Sequence, residues 1–161
     1  MQEGKLNVET RGDTEIVVTR EFIGPRQLVW DAYTQPELLK RWLYGPDGWA
    51  LDVCEVDLRV GGPYRYEWVK NDGTRMGAGG VHKEIDAPRR MVVTQVFDQD
   101  WTGGETLCHL DLEERDGRTF LTSVIRYASK AARDGAAASG MTRGMEAGYV
   151  RLEDLVQAQD A

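Results

Sequence analysis

The chain is poor in the residues from which most catalytic and metal sites are built. Two histidines and two cysteines are spread over 161 positions. His82 and His109 stand far apart, and neither has a Cys or His at a usual ligand spacing, so no metal site is predicted. Cys54 and Cys108 both fall in strand-like runs and read as buried thiols, not as a disulfide. There is no nucleophile elbow, no phosphate-cradling loop and no dinucleotide fingerprint, and no cofactor is predicted. The one glycine cluster, Gly77-Ala78-Gly79-Gly80, sits inside strand-like sequence. No apolar run approaches the ~20 residues that a membrane-spanning helix needs. The opening residues, Met1-Gln2-Glu3-Gly4-Lys5, lack the apolar core of a secretory signal, so a cytoplasmic location is expected. Positive charge is in short supply: 20 Lys and Arg stand against 27 Asp and Glu, a net charge of −7. That balance speaks against nucleic acid and against an anionic membrane surface as partners.

What the chain does carry is a clear order of patterns. Residues 1–13 are polar and read as a loose arm, with a trace of strand near Leu6 to Val8. Residues 14–158 read as one domain, long enough to bury a real core. Thr14 to Phe22 alternates as a strand does, with Ile16, Val18 and Phe22 on one face and Arg20 interrupting it. Pro25 and Pro36 each suit the start of a short helix. Leu28, Val29, Ala32 and Tyr33 form the first helical face, and Leu38, Leu39 and Trp42 the second. From Trp49 onward the period changes to two. Strands are predicted near 50–58, 63–70, 75–86, 90–98, 104–114 and 118–127. Turn residues mark the junctions: Gly61-Gly62-Pro63, Asn71-Asp72-Gly73, Asp86-Ala87-Pro88, Gly103-Gly104 and Asp116-Gly117. With the first strand this makes a seven-stranded antiparallel sheet, and Gly77, Gly79 and Gly80 mark the place where it curls. Ser129 then caps one long helix running to about Gln157. Met141, Met145, Tyr149, Leu152 and Val156 make its apolar stripe, beside a row of glycines at 140, 144 and 148. That row predicts a close approach, by the sheet or by a ligand.

A strongly curved sheet with one long helix across its mouth covers its concave face without filling it. A dry void of about 300 Å³ would cost on the order of 7 kcal/mol, as much as a whole domain's stability. Such a space collapses, fills with water, or holds a ligand, and the wall residues decide which. Tyr64, Tyr66 and Trp68 share one strand face, with Arg65 and Glu67 opposite. Thr106, Cys108, Leu110 and Leu112 also share a face. The candidate cavity residues are Trp42, Tyr64, Tyr66, Trp68, Phe97, Met141, Met145 and Tyr149, with the methionines as an adaptable lid.

These motifs carry a resemblance. The strand Thr19-Arg20-Glu21-Phe22 is followed by Pro25, Val29-Trp30-Asp31-Ala32, Thr34, Pro36-Glu37 and Arg41-Trp42. Then come Asp57, Arg59, Gly61-Gly62, Tyr64-Arg65-Tyr66, Asp72-Gly73, Gly79-Gly80 and Pro88-Arg89. Gly140-Met141, Gly144-Met145, Gly148-Tyr149 and Leu152 complete the set. In this order they resemble the SRPBCC superfamily of START-like, birch-pollen-allergen-like proteins. Within it, the chain is similar to bacterial single-domain members of the activator of heat-shock-protein-90 ATPase homologue family. Leu43 departs from the pattern, since many relatives carry a second aromatic beside Trp42. The resemblance implies an α+β helix-grip fold: a strongly curved seven-stranded antiparallel sheet around a long C-terminal helix, with two short helices after the first strand. It also implies a cavity for a hydrophobic molecule.

Three functional readings follow. The first is a binder of a small hydrophobic or amphipathic ligand, held between the sheet and the C-terminal helix. The second is a cavity enzyme of the polyketide cyclase or dehydratase type. Such a pocket needs one or two polar groups, such as His82 or Tyr66, with His82 a weak candidate general base against its more ordinary role as a structural histidine. The third, a regulator of a chaperone ATPase, comes only from the family's name. The absence of a catalytic constellation favours binding over turnover. Glu55 with Asp57, and Glu113 with Glu114, read as solvated strand faces, and Arg59 and Arg126 as surface ion-pair partners.

Overall fold

A computed structural model describes residues 6–99 and 104–160. Residues 1–5 of the polar arm, and Gly103 of the predicted Gly103-Gly104 turn, lie outside the described residues. The chain forms β1 (Asn7–Arg11), β2 (Glu15–Ile23), α1 (Arg26–Thr34), α2 (Pro36–Leu39), β3 (Trp49–Val56), β4 (Pro63–Lys70), β5 (Arg75–Asp86), β6 (Arg90–Phe97), β7 (Thr106–Arg115), β8 (Arg118–Arg126), α3 (Lys130–Ala137) and α4 (Met141–Asp160). The strands make one curved sheet in the order β1-β2-β8-β7-β6-β5-β4-β3. Every neighbouring pair is antiparallel. Hairpins link β3 through β8 in sequence, while α1 and α2 fill the long connection from β2 to the opposite edge.

Two expectations need correction. The sheet has eight strands among the described residues, one more than predicted. The addition, β1, lies inside the polar arm and pairs with β2 from Asn7 opposite Thr19 to Arg11 opposite Glu15. Its sequence carries no apolar alternation because β1 is an edge strand with mostly exposed side chains. The C-terminal helix is also two helices, not one. Ser129 caps α3 as predicted, its hydroxyl accepting from the Ala132 amide at 3.0 Å. Gly140 then adopts a left-handed conformation (φ +83°), and α4 starts afresh at Met141.

The glycines of β5 act through contact. A Cβ built on Gly80 would overlap the Thr94 carbonyl of β6, so only glycine lets β6 come this close. The register then shifts between His82 and Glu84, and again between Leu51 and Val53 on β3. Both shifts are bulges that help to bend the sheet.

Ile16, Val18 and Phe22 of β2 are buried with Leu112 and Leu121 on the inner face of the sheet. Val29 and Trp30 of α1, Leu39 of α2, and Leu152, Leu155 and Val156 of α4 complete the core. Two buried arginines fasten the helices to the sheet. Arg20, inward on β2, reaches Glu153 Oε1 of α4 at 3.1 Å. Glu153 Oε2 accepts from the Ile23 amide at 3.1 Å. Arg133 of α3 donates to the carbonyls of Gly12 (3.0 Å) and Glu15 (3.1 Å), gripping the β1–β2 turn.

Candidate ligand cavity

The inner face of the sheet does not pack solidly against the helices. A cavity of about 270 Å³ lies between β3–β8, the α1–α2 end and α4. The alternation of β4 sends Tyr64 and Tyr66 into its wall, while Arg65 points out to Asp98 (2.8 and 2.5 Å). The middle strands add Met91, Val93, Gln95, Cys108, Leu110 and Ser123. Tyr33, Leu39, Trp42 and Leu43 close the helical end, and Gly144, Met145, Gly148 and Tyr149 form the α4 side.

The aromatic walls are held in place. Trp42 stacks on Tyr149 at 6.2 Å between ring centres and meets the Tyr33 ring edge-on at 5.0 Å. Its indole donates to the Ala32 carbonyl at 2.8 Å. The Tyr33 hydroxyl donates to that of Tyr149 at 2.9 Å, and the Tyr64 hydroxyl to the Thr94 carbonyl at 2.5 Å. Burial pushes Tyr33, Tyr64 and Tyr66 well above the ordinary phenol range. It also raises the Cys108 thiol to about 11, so that thiol stays protonated at neutral pH. Asp, Glu, Lys and Arg are absent from the lining.

Of the eight residues singled out from the sequence, the structure brings five to this cavity: Trp42, Tyr64, Tyr66, Met145 and Tyr149. It places Trp68, Phe97 and Met141 outside the lining. Trp68 continues the aromatic row (5.8 Å from Tyr66) but donates to the Leu43 carbonyl and stacks on Phe97. Met141 lies where the Tyr127 hydroxyl reaches its sulfur at 3.8 Å. His82 does line the cavity. Its Nδ1 lies 2.8 Å from the Gly62 carbonyl, which can only accept, so Nδ1 carries the proton. The His109 ring lies beside Arg90 (3.2 Å), the guanidinium that also holds Asp111. The predicted surface pairs stay out of the lining: Arg59 is held by Asp57 at 2.9 Å and Arg126 lies 3.4 Å from Glu15.

Sequence reasoning passed over Tyr33, Gln95 and Ser123 as wall residues. The signal was present for the last two. The β6–β7 pairing sets Gln95 opposite Thr106, and the β7–β8 pairing sets Ser123 opposite Leu110, both on the inward face already assigned. The glycine row divides. Gly148 sits in ordinary contact with Trp42, where a Cβ would lie 3.8 Å from the ring, whereas a Cβ on Gly144 would meet nothing within 4 Å.

A second, larger concavity of about 650 Å³ lies on the outer face of β2, β7 and β8. Arg26, Arg89 and Arg115 line it together with Glu21, Asp111 and Glu113, and most of these charges pair locally, as Arg115 does with Glu113 at 3.2 Å and Asp111 with Arg90 at 2.9 Å. It is a solvated charged surface. Among the described residues no cluster of three or more His, Cys, Asp or Glu is arranged to hold a metal, and no helix is long and apolar enough to cross a membrane.

The family model described as activator of Hsp90 ATPase homolog 1-like protein matches residues 24–157. The chain belongs to this family. The Hsp90-activator-like assignment agrees with solved structures. A crystal structure of a protein from Rhodobacter sphaeroides is 32% identical, with a TM-score of 0.90, over 95% of this chain and 98% of that one. A protein from Nitrosomonas europaea shares the fold at 23% identity and a TM-score of 0.81, over 93% and 98% of the two chains. An AHSA1-like protein from Aeromonas hydrophila shares it at 18% identity and a TM-score of 0.68, over 89% and 93%. No curated protein matches the chain. The recognition drawn from the sequence motifs and the α+β architecture both stand, with the strand count and the helix break corrected as above.

Proposed function

We propose that this protein binds one small hydrophobic or amphipathic molecule in the cavity between the sheet and α4. The observation that carries this reading is the cavity itself: about 270 Å³, walled by aromatic and aliphatic side chains and free of formal charge. Kept dry and empty, that volume would cost about 6 kcal/mol. The walls are braced against collapse by the Trp42–Ala32, Tyr33–Tyr149 and Tyr64–Thr94 hydrogen bonds. A space held open by such bonds, lined by rigid rings and two adaptable methionines, suits an organic guest. The free thiols Cys54 and Cys108 support a reducing, cytoplasmic setting.

Native mass spectrometry of freshly purified protein, then solvent extraction, tests the reading on any guest that co-purifies. Titration of the extracted protein with naphthalene, followed by amide NMR shifts at Gly144 and Gly148, tests the cavity directly. Saturable 1:1 binding with shifts at those glycines is expected. No co-purified guest together with no naphthalene binding overturns the reading.

A further inference from the structure

The hydroxyls and ring nitrogens of Tyr33, Tyr64, Tyr66, His82 and Tyr149 are of two kinds, beside Gln95, Cys108, His109 and Ser123 as the other polar residues of the lining. The Tyr33, Tyr64 and Tyr149 hydroxyls are engaged with the protein. Tyr66 and His82 are different. Among the described residues no buried side-chain nitrogen or oxygen lacks a partner. The Tyr66 hydroxyl bonds to no described residue, so it faces open space, and the open space at Tyr66 is the cavity. His82 spends its Nδ1 proton on the Gly62 carbonyl, and by the same reasoning its Nε2 also opens onto the cavity. In the neutral ring that nitrogen is an acceptor. Both rings flank Tyr64, with centroids 5.1 Å (Tyr66) and 5.7 Å (His82) from it, so the two free groups belong to one stretch of wall. That wall offers a phenol hydroxyl and an imidazole lone pair, with no cation nearby in the lining.

Resting on the binding reading above, we infer that the guest is an uncharged, ring-shaped molecule bearing a hydroxyl group, selected by Tyr66 and His82, and that carboxylate ligands are rejected. A hydroxyl can accept from Tyr66 or donate to His82. A carboxylate entering this cavity sheds its water and finds no Arg or Lys in exchange. A bare hydrocarbon leaves both protein groups unpaired. The selection is therefore for a neutral hydroxylated ring over both an anionic one and a plain one. Burial raises the Tyr66 phenol above its ordinary range, which keeps it a donor well into alkaline solution.

The test uses three probes of one shape: naphthalene, 2-naphthol and 2-naphthoate, titrated at pH 7 into the wild-type protein, Tyr66→Phe and His82→Asn. Tyr66→Phe removes a hydroxyl that no described residue uses, so folding is retained. His82→Asn keeps a donor for the Gly62 carbonyl and deletes the Nε2 acceptor. The expected result is 2-naphthol binding at least tenfold tighter than 2-naphthoate. Tyr66→Phe or His82→Asn then weakens 2-naphthol several-fold and leaves naphthalene unchanged. If naphthalene binds but 2-naphthoate matches 2-naphthol, or both variants keep the wild-type 2-naphthol affinity, this inference is overturned and the cavity reading stands. If none of the three binds, this inference is overturned, and the cavity reading falls with it when no guest co-purifies.

Discussion

Tyr33 of α1 donates its hydroxyl proton to Tyr149 of α4 across 2.9 Å, joining the two helices on either side of the cavity. Both rings also touch Trp42, so this bond fixes the aromatic end wall. Removing one hydroxyl leaves the other buried without its partner, whereas removing both leaves nothing unpaired. A double-mutant cycle of Tyr33→Phe and Tyr149→Phe should show a coupling of about 1 kcal/mol in urea unfolding. Strictly additive single effects would mean that the bond holds nothing together.

The Arg20–Glu153 pair carries a larger effect. The Arg20 side chain is only 4% exposed, and Glu153 satisfies both it and the Ile23 amide. Glu153→Ala strands a buried cation and a backbone donor together. A loss of about 3–5 kcal/mol is expected from chemical denaturation. The double variant Arg20→Met/Glu153→Leu should recover most of it. Equal instability of the single and double variants would refute this account.

Gly144 offers a gain. It lies within α4, and an added Cβ meets nothing within 4 Å. Gly144→Ala should raise stability by roughly 0.5–1 kcal/mol, because alanine loses less backbone freedom on folding. The midpoint of denaturation reads the change directly, and a lower midpoint would show that the glycine is needed for close packing after all.

Alkaline pH should unfold the protein earlier than its surface charge alone would require. Burial raises Cys54 and Cys108 from 9.0 to about 11, and Tyr127 from 10.0 to about 12. Each group favours its neutral form in the folded state. The stability it contributes is complete below the unfolded value and is lost as pH climbs through the folded one. Melting temperature should therefore decline from about pH 9 onward. In Cys54→Ala/Cys108→Ala the early part of that decline should flatten. An identical pH profile in this variant would show that the thiols take no part.

Much of the fold is readable from residue order because each central strand alternates and each hairpin carries its own turn residues. Seven of the eight strands fall close to their predicted limits for that reason. β1 escapes because Asn7-Val8-Glu9-Thr10-Arg11 offers one apolar residue, Val8, and no alternating face. It is held by pairing with β2 and by Arg133, more than a hundred residues away, and no local pattern records such a contact. The break at Gly140 escapes for another reason. Gly140, Gly144 and Gly148 look alike at helical spacing, and only backbone conformation separates the left-handed one from the two inside α4.

The cavity wall was readable by parity and unreadable by depth. Alternation puts Tyr64, Tyr66 and Trp68 on one face but does not say where along β4 the open space ends. It ends beyond Tyr66, because the Leu43 carbonyl engages the Trp68 indole. Met141 and Met145 likewise share a helix face, yet only Met145 reaches the lining. Tyr66 and His82 stand out only when every hydrogen bond around them is traced.

The joint at Gly140 gives the two C-terminal helices separate moorings. α3 is tied through Arg133 to the first hairpin, and α4 through Glu153 to the strand beneath it. Both ties land on the β1–β2 hairpin, α3 at its turn and α4 along β2, so this one pair of strands carries both C-terminal helices.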